Sequence, residues 1–267
     1  MKILQRVTVI AFVAMVLLYC GVTLYENLMV DSTPPTIQCE SEEIVVSVKD
    51  DPSVLLQGVT AWDDRDGDLT DQVEIKSVSQ LITDDTAQVS YIVFDSANNM
   101  TVVKRTVRYS DYEKPRFALS QPLVYTQGEK MALLERLSAS DSLDGDISGS
   151  ICVITENVSD APGVYSVTVQ ATNSLGDTAV QQLKLVVCDT ENQVRINLKE
   201  YLVYMEKGQA FDARDYIQNV QGAAGVTAEN VTVTGSVNTE KAGTYHIAYG
   251  VQSGELSCMV YLTVVVS

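Results

Sequence analysis

The sequence predicts an all-β protein: three tandem β-sandwich domains behind an N-terminal transmembrane helix. Three observations lead there. First, Ala61-Trp-Asp-Asp-Arg-Asp-Gly-Asp-Leu-Thr70 recurs as Ala139-Ser-Asp-Ser-Leu-Asp-Gly-Asp-Ile-Ser148, so that Asp63, Asp66 and Asp68 correspond to Asp141, Asp144 and Asp146 at an offset of 78 residues. A long repeat at fixed spacing means that one structural unit is used more than once. Second, short segments alternate apolar and polar residues with period two and are separated by Asp/Asn/Gly clusters, the pattern of a β-sandwich. Third, the stretch 7–25 carries no charge at all.

That stretch of 19 residues, as a helix rising about 1.5 Å per residue, covers roughly 28 Å, close to the hydrocarbon thickness of a bilayer. Lys2 and Arg6 precede it, and Glu26 and Asp31 follow. Positive charge stays cytoplasmic, so residues 1–6 are expected inside and the body of the chain outside, held by an uncleaved signal anchor. Two alternatives compete. A cleaved signal peptide needs a small-x-small site, which Cys20-Gly21-Val22 approaches. A lipoprotein would be cut before Cys20, but Tyr19 is large where such sites need a small residue.

The charge of the whole chain is −17; without Lys2 and Arg6 there remain 16 basic against 35 acidic residues. Nucleic acids are excluded as partners, because holding a polyanion requires Lys and Arg to replace its counterions. The abundance of Val, Thr, Ser and Tyr beyond the anchor suits a pleated sheet.

Domain 1 is expected over 31–110. Asp31-Ser-Thr-Pro-Pro35 is its extended entry, since Pro restricts its predecessor to the β region. Val45–Val48 and Val54–Ala61 read as strands, and Gln72–Ser79 as a strand with Val73, Ile75 and Ser77 on one face. Ala87, Val89, Tyr91 and Val93 alternate with polar residues, Asp95-Ser-Ala-Asn-Asn99 is a turn, and Thr101–Tyr109 is the last strand. Domain 2, 111–188, opens on the echo Asp111-Tyr-Glu-Lys-Pro115. It continues through Leu123–Tyr125, Gly128, the acidic turn, Ile151–Ile154, Gly163–Val169, an Asn173–Gly176 turn and Ala179–Val187. Domain 3, 189–267, repeats Gly128, Ile151, Gly163 and Tyr165 as Gly208, Val231, Gly243 and Tyr245, and ends in a hairpin of Tyr245–Val251 and Ser257–Val266. Units of this size joined by short linkers predict an elongated rod.

The entry Asp with Pro, the Ala-x-Asp-x-x-Asp-Gly-Asp-Leu/Ile-Thr/Ser turn, the Gly-x-Tyr-x-Val strand and the Asn- or Gly-containing hairpin together resemble the bacterial surface Ig-like domain family, which includes the Ig-like domain of insecticidal crystal toxins. There is a looser similarity to hyaline-repeat and cadherin-like modules. The resemblance spans 31–267, is clear in the first two copies and is degraded in the third. It implies an extracellular, non-catalytic Ig-like module used in adhesion or as a spacer, and no particular ligand.

Candidate sites follow from the acidic turns. Carboxylates at i, i+3 and i+5 around a Gly, as in Asp63, Asp66, Asp68 and in Asp141, Asp144, Asp146, have the oxygen chemistry that Ca²⁺ prefers. An EF-hand is excluded, because its first position would be Trp62 and its twelfth Val73. Turn chemistry competes with the metal reading: Asp caps backbone N–H groups and Gly provides a positive φ. In domain 3 the three acids become Gln221, Ala224 and Val226 while Gly225 stays, so the fold does not require them. Asp111 is a candidate to complete an interdomain cation site. Trp62, the sole Trp, is a candidate ligand contact for a sugar ring or a protein, or else a cover for the end of its own sandwich.

His246, the sole His, lies on an alternating strand and is expected to face solvent; without a second His or a Cys/His cluster there is no zinc site and no catalytic triad. No Gly-rich phosphate loop or Gly-x-Ser-x-Gly elbow occurs, so no enzyme and no required cofactor are expected. Cys152 and Cys188 are the candidate disulfide, with Cys39 and Cys258 left over; their counterparts Glu74 and Ser110 suggest outward-facing positions. The function expected is a cell-surface protein presenting its modules for adhesion or protein/glycan recognition. The alternative is a structural spacer or subunit of an envelope assembly with no ligand of its own.

Overall fold

The structure is a computed structural model and describes residues 2–29, 31–156, 158–188, 194–222, 225–253 and 256–267. The chain forms two compact units, the first ending at Ser110 and the second running from Asp111 to Ser267.

In the first unit, helix α1 (Lys2–Met29) contains an apolar span, Gln5–Tyr25, long enough to cross a bilayer. It is longer than the uncharged stretch because good helix formers flank it on both sides. Its large side chains, Phe12, Met15, Leu17 and Leu18 among them, are exposed on every side. The Thr23 hydroxyl donates to the Tyr19 carbonyl at 2.7 Å, so this polar group is satisfied within the helix.

The sandwich that follows consists of β1 (Thr36–Cys39), β2 (Glu43–Val46), β3 (Val59–Asp63), β4 (Gly67–Asp68), β5 (Glu74–Val78), β6 (Thr86–Phe94) and β7 (Met100–Tyr109). One sheet has the order β1-β3-β4, the other β2-β7-β6-β5. All pairs are antiparallel except β2 with β7, which run parallel from Glu43↔Thr106 to Val46↔Tyr109. Pro35 and Pro115 each precede a first strand, as the entry motif predicts. Ala87, Val89, Tyr91 and Val93 are completely buried, so the alternation in β6 points those residues into the core.

Two expected strands are corrected. Val54–Ala61 is not one strand: Asp51 caps a 3₁₀ helix, Pro52–Leu56, and only Val59 onward is extended. Pro in the first turn and an Asp that accepts from the Ser53 amide favour that helix start. In β5 a bulge between Ile75 and Ser77 shifts the register, which leaves Ser77 exposed and turns Val78 inward. The Tyr91 hydroxyl donates to the Leu55 carbonyl of the 3₁₀ helix and thereby ties that turn to the core.

The second unit holds two further sandwiches, the latter without a counterpart of β4 among the described residues. Strands β8 (Arg116–Leu119), β9 (Val124–Thr126), β10 (Leu137–Asp141), β11 (Gly145–Asp146), β12 (Cys152–Glu156), β13 (Gly163–Thr172) and β14 (Thr178–Cys188) form sheets β8-β10-β11 and β9-β14-β13-β12. Strands β15 (Arg195–Leu198), β16 (Leu202–Met205), β17 (Ile217–Gln221), β18 (Thr232–Thr234), β19 (Gly243–Ser253) and β20 (Leu256–Val266) form sheets β15-β17 and β16-β20-β19-β18. The parallel pairing recurs as β9 with β14 and β16 with β20. Tyr249 takes the part of Tyr91 and donates to the Ala213 carbonyl at 2.6 Å.

These two sandwiches are not beads on a string. Tyr204 of β16 accepts from the Phe117 amide at 2.9 Å, and the Arg116 guanidinium lies 5.5 Å from its ring centre. Leu202, Tyr204 and Val265 pack into the core of the sandwich formed by β8–β14, while Leu119 and Val124 pack into the core of the next. The cores of these two sandwiches thus share residues across their junction.

His246 departs from its expected solvent position. It is half-buried, its Nδ1 lies 3.3 Å from the Thr263 hydroxyl, and its Nε2 has no hydrogen-bond partner among the described residues. Burial, with Lys184 nearby, lowers its pKa from 6.5 to about 4. The folded pKa lies below the unfolded one, so this ring contributes stability that is complete above pH 6.5 and is lost as pH falls toward 4. Amide hydrogen exchange at Tyr249 between pH 7.5 and 4.5 should show this loss in the natural chain and not in His246→Gln.

Candidate functional site at the acidic turn of the first sandwich

Most of the acidic turn is architecture. Gly67, Gly145 and Gly225 all adopt a left-handed backbone, with φ of 77°, 71° and 79°. That explains why this Gly survives in the third copy where the acids do not. Leu69 and Ile147 plug the core. The Thr70 and Ser148 hydroxyls accept from the Ala61 and Ala139 amides, each at 3.1 Å. Asp68 Oδ1 accepts from the Thr70 amide and Asp146 Oδ1 from the Ser148 amide, both at 2.9 Å. Bonds from those hydroxyls and amides hold both carboxyls below the ordinary carboxylate range.

Asp66 reaches across to the hairpin between β6 and β7. It accepts from the Ser96 amide at 2.6 Å and the Ser96 hydroxyl at 2.8 Å, and Asp144 does the same with Ser174 at 2.6 and 2.8 Å. Asp66 and Asp68, with Asp144 and Asp146, therefore bind the turn together from within.

Asp63 differs. It is only 2 % exposed. Its Oδ1 accepts from the Asp66 and Arg65 amides at 2.9 Å each, and these bonds lower its pKa against the opposing effect of burial. Its Oδ2 has no hydrogen-bond partner among the described residues. Asp31 and Asp95 each bring a carboxylate oxygen to the same point, and ligand atoms of the three lie within 4.8 Å of one another. Asp95 is 6 % exposed and accepts from the Asn99 amide and the Asn99 side-chain Nδ2, both at 2.7 Å. Asp31 accepts from the Thr33 amide at 2.9 Å, and its Oδ2 is 3.5 Å from Arg65 Nε. Asn99 also donates to the Asp31 carbonyl at 3.2 Å, which links all the participating segments. Three carboxylates at one buried point are the arrangement here that could hold a metal ion among the described residues.

In the second sandwich the corresponding corner is closed by hydrogen bonds. Asn173 replaces Asp95, and its Nδ2 donates to Asp141 Oδ2 at 2.7 Å and to the Tyr112 hydroxyl at 2.8 Å. Tyr112 in turn donates to Asp177 at 2.7 Å. Asp111, the counterpart of Asp31, is exposed. In the third sandwich Gln221 is exposed, Val226 is half-buried and Ala224 lies outside the described residues.

Trp62 is 61 % exposed on the central strand of its sheet, between Thr36 and Asp68, with its ring tip 3.9 Å from where a Cβ on Gly67 would stand. Its counterpart is Ser140. The expected Cys152–Cys188 disulfide is overturned by topology. β13 lies between β12 and β14, and Cys152 faces Gln170, which faces Val180, eight residues along β14 from Cys188. At about 3.3 Å per residue that separation is several times the reach of a disulfide. Cys39 likewise forms no bridge, and the side chain of Cys258 lies outside the described residues.

Asp31 and Asp95 were legible only as turn and entry residues. The available signal was the repeat itself, which sets Asp95 against Asn173 and Asp31 against Asp111.

Fold and site define a protein of β-sandwiches with an apolar N-terminal helix. Residues 198–258 match the family model described as bacterial surface protein, Ig-like domain. The match falls on the copy that has lost its acidic turn, so the family likeness there does not depend on that turn. The chain is 26 % identical over 233 residues to the pesticidal crystal protein Cry22Aa of Bacillus thuringiensis, covering 82 % of this chain and 31 % of that protein. It is 31 % identical over 151 residues to an uncharacterised 81.3 kDa protein of Acholeplasma phage L2, covering 54 % and 19 %. The chain thus spans less than a third of the length of either relative. Among solved structures it is similar to the CBM51-2 and INT domains of ZmpB from Clostridium perfringens in complex with GlcNAc (18 % identity, 56 % and 26 % covered, TM-score 0.24). A lipoprotein of Bacteroides thetaiotaomicron also matches (13 %, 85 % and 98 %, TM-score 0.21).

Proposed function

We propose that the chain is a non-catalytic, membrane-anchored surface protein whose first sandwich recognises an extracellular partner, with the N-terminus inside and the sandwiches outside. One observation carries this reading. On the outer face of β6 and β7, Phe94, Met100 and Val102 are 46, 51 and 38 % exposed, and Ile92 lies beside them, paired with Val102. The corresponding positions in the second sandwich are Gln170, Thr172, Thr178 and Val180. Val180 is exposed too, but the other three positions are polar there, so the apolar cluster is confined to the first sandwich, and exposed apolar clusters mark contact surfaces. Trp62, also exposed where the second copy has Ser140, adds a second anchor of the kind that dominates binding energies.

The test uses the full-length protein in nanodiscs, displayed to cells and to a glycan array. One variant carries Phe94→Thr and Met100→Thr, the residues of the second sandwich, and another carries Trp62→Ser. Binding that falls at least tenfold in either variant supports recognition by this domain. Binding that survives both but is lost when a whole sandwich is deleted identifies a spacer, the reading favoured by the shared packing around Tyr204.

A further inference from the structure

Asp63 Oδ2 is a buried carboxylate oxygen with no hydrogen-bond partner among the described residues, and it faces two further carboxylates. An ionised group removed from water needs a compensating charge or donor. Its Oδ1 is held by the Arg65 and Asp66 amides. Arg65 approaches the cluster at Asp31, and its side chain is 46 % exposed. One guanidinium against three carboxylates leaves two negative charges uncompensated.

The second sandwich shows how the same scaffold meets this demand without an ion. There the third residue is an amide, Asn173, and its Nδ2 supplies the donor that Asp141 Oδ2 needs. In the first sandwich that position is Asp95, whose two oxygens are already held at 2.7 Å by Asn99 and cannot donate. The change from Asn to Asp removes a donor and adds a negative charge at the point where a donor is required.

We propose that Asp31, Asp63 and Asp95 form a site for a hard divalent cation, Ca²⁺ in preference to Mg²⁺, in the first sandwich alone. All the donors are oxygens, which suits a hard cation, and carboxylates already fixed by neighbouring amides suit the adaptable shell of Ca²⁺ better than the strict octahedron of Mg²⁺. The ion would join three segments distant in sequence. These are the residue just beyond α1, the end of β3, and the turn after β6.

The experiment uses the full-length chain in a non-ionic detergent, with Tb³⁺ as probe and Trp62, the single Trp and the neighbour of Asp63, as sensitiser. Tb³⁺ luminescence excited through Trp62 should appear and be displaced by Ca²⁺ with a dissociation constant on the order of 10⁻⁴ to 10⁻³ M, the range of extracellular modules. Mg²⁺ should displace it at least tenfold less well, and millimolar Ca²⁺ should raise the unfolding temperature. Asp95→Asn copies the second sandwich, so it should fold while losing both the luminescence and the thermal shift. Asp68→Asn, which alters only the turn cap, should keep both. The proposal is overturned if the natural chain gives no Ca²⁺-displaceable signal. It is equally overturned if Asp95→Asn responds as the natural chain does, or if Asp68→Asn alone abolishes the response.

Discussion

Deletion of residues 1–30 is expected to move the protein from the membrane fraction, where it resists carbonate extraction, to the soluble fraction. The physical basis is the 21-residue span Gln5–Tyr25, which contains one arginine near its start and exposes its large side chains all around. Each buried apolar side chain contributes on the order of 1.5–3 kcal/mol. Met15→Arg, at the centre of the span, should weaken insertion by about 2.5–3.5 kcal/mol. The mass of the intact protein decides between anchor and signal peptide: the anchor retains residues 7–25, whereas a mature chain beginning near Cys20 would show that this helix is removed.

Leu183→Ala is expected to destabilise the second sandwich by about 2–5 kcal/mol, the cost of a cavity in a site that cannot collapse. Leu183 is completely buried and opposite Val167, with Val169, Leu185 and Ala171 in the same cluster. The counterpart of this position in the first sandwich, opposite Val89, is Arg105. That guanidinium is 5 % exposed and donates to the Gln57 carbonyl at 2.7 Å and to the Ser41 hydroxyl at 2.6 Å, while its Nε has no partner among the described residues. Arg105→Leu, which copies the second sandwich, therefore has opposing effects. It relieves a desolvated charge but strands the Gln57 carbonyl, and the net change should stay below that of Leu183→Ala. Denaturant unfolding followed by site-resolved hydrogen exchange measures each sandwich separately.

The sandwiches were legible because their cause is local. Alternation at Ala87, Val89, Tyr91 and Val93 decides which face is buried, and Asp-Gly turns decide where the chain reverses. What was not legible depends on longer range. The bulge at Ile75–Ser77 answers to the strand opposite, and the 3₁₀ turn at Pro52–Leu56 overrides a run of β-prone residues. His246 alternates correctly, yet it is covered by packing that its own strand does not encode. The disulfide failed because spacing in sequence says nothing of the strand that intervenes. The acidic turn was found from the repeat, but only Asp63 among its acids faces an unmet electrostatic demand. Its companions Asp31 and Asp95 come from 32 residues before and after it.

The parallel pairing that recurs in all three sandwiches has a mechanical meaning. In each, an early strand lies alongside the last and runs the same way, so a pull on the two ends of a sandwich slides these strands past each other. Every bond of such a ladder is loaded at once, in shear, instead of being unzipped one at a time. The first and third ladders have four register pairs and the second has three. Under such a load the middle sandwich, with the shortest ladder, would be the first to yield.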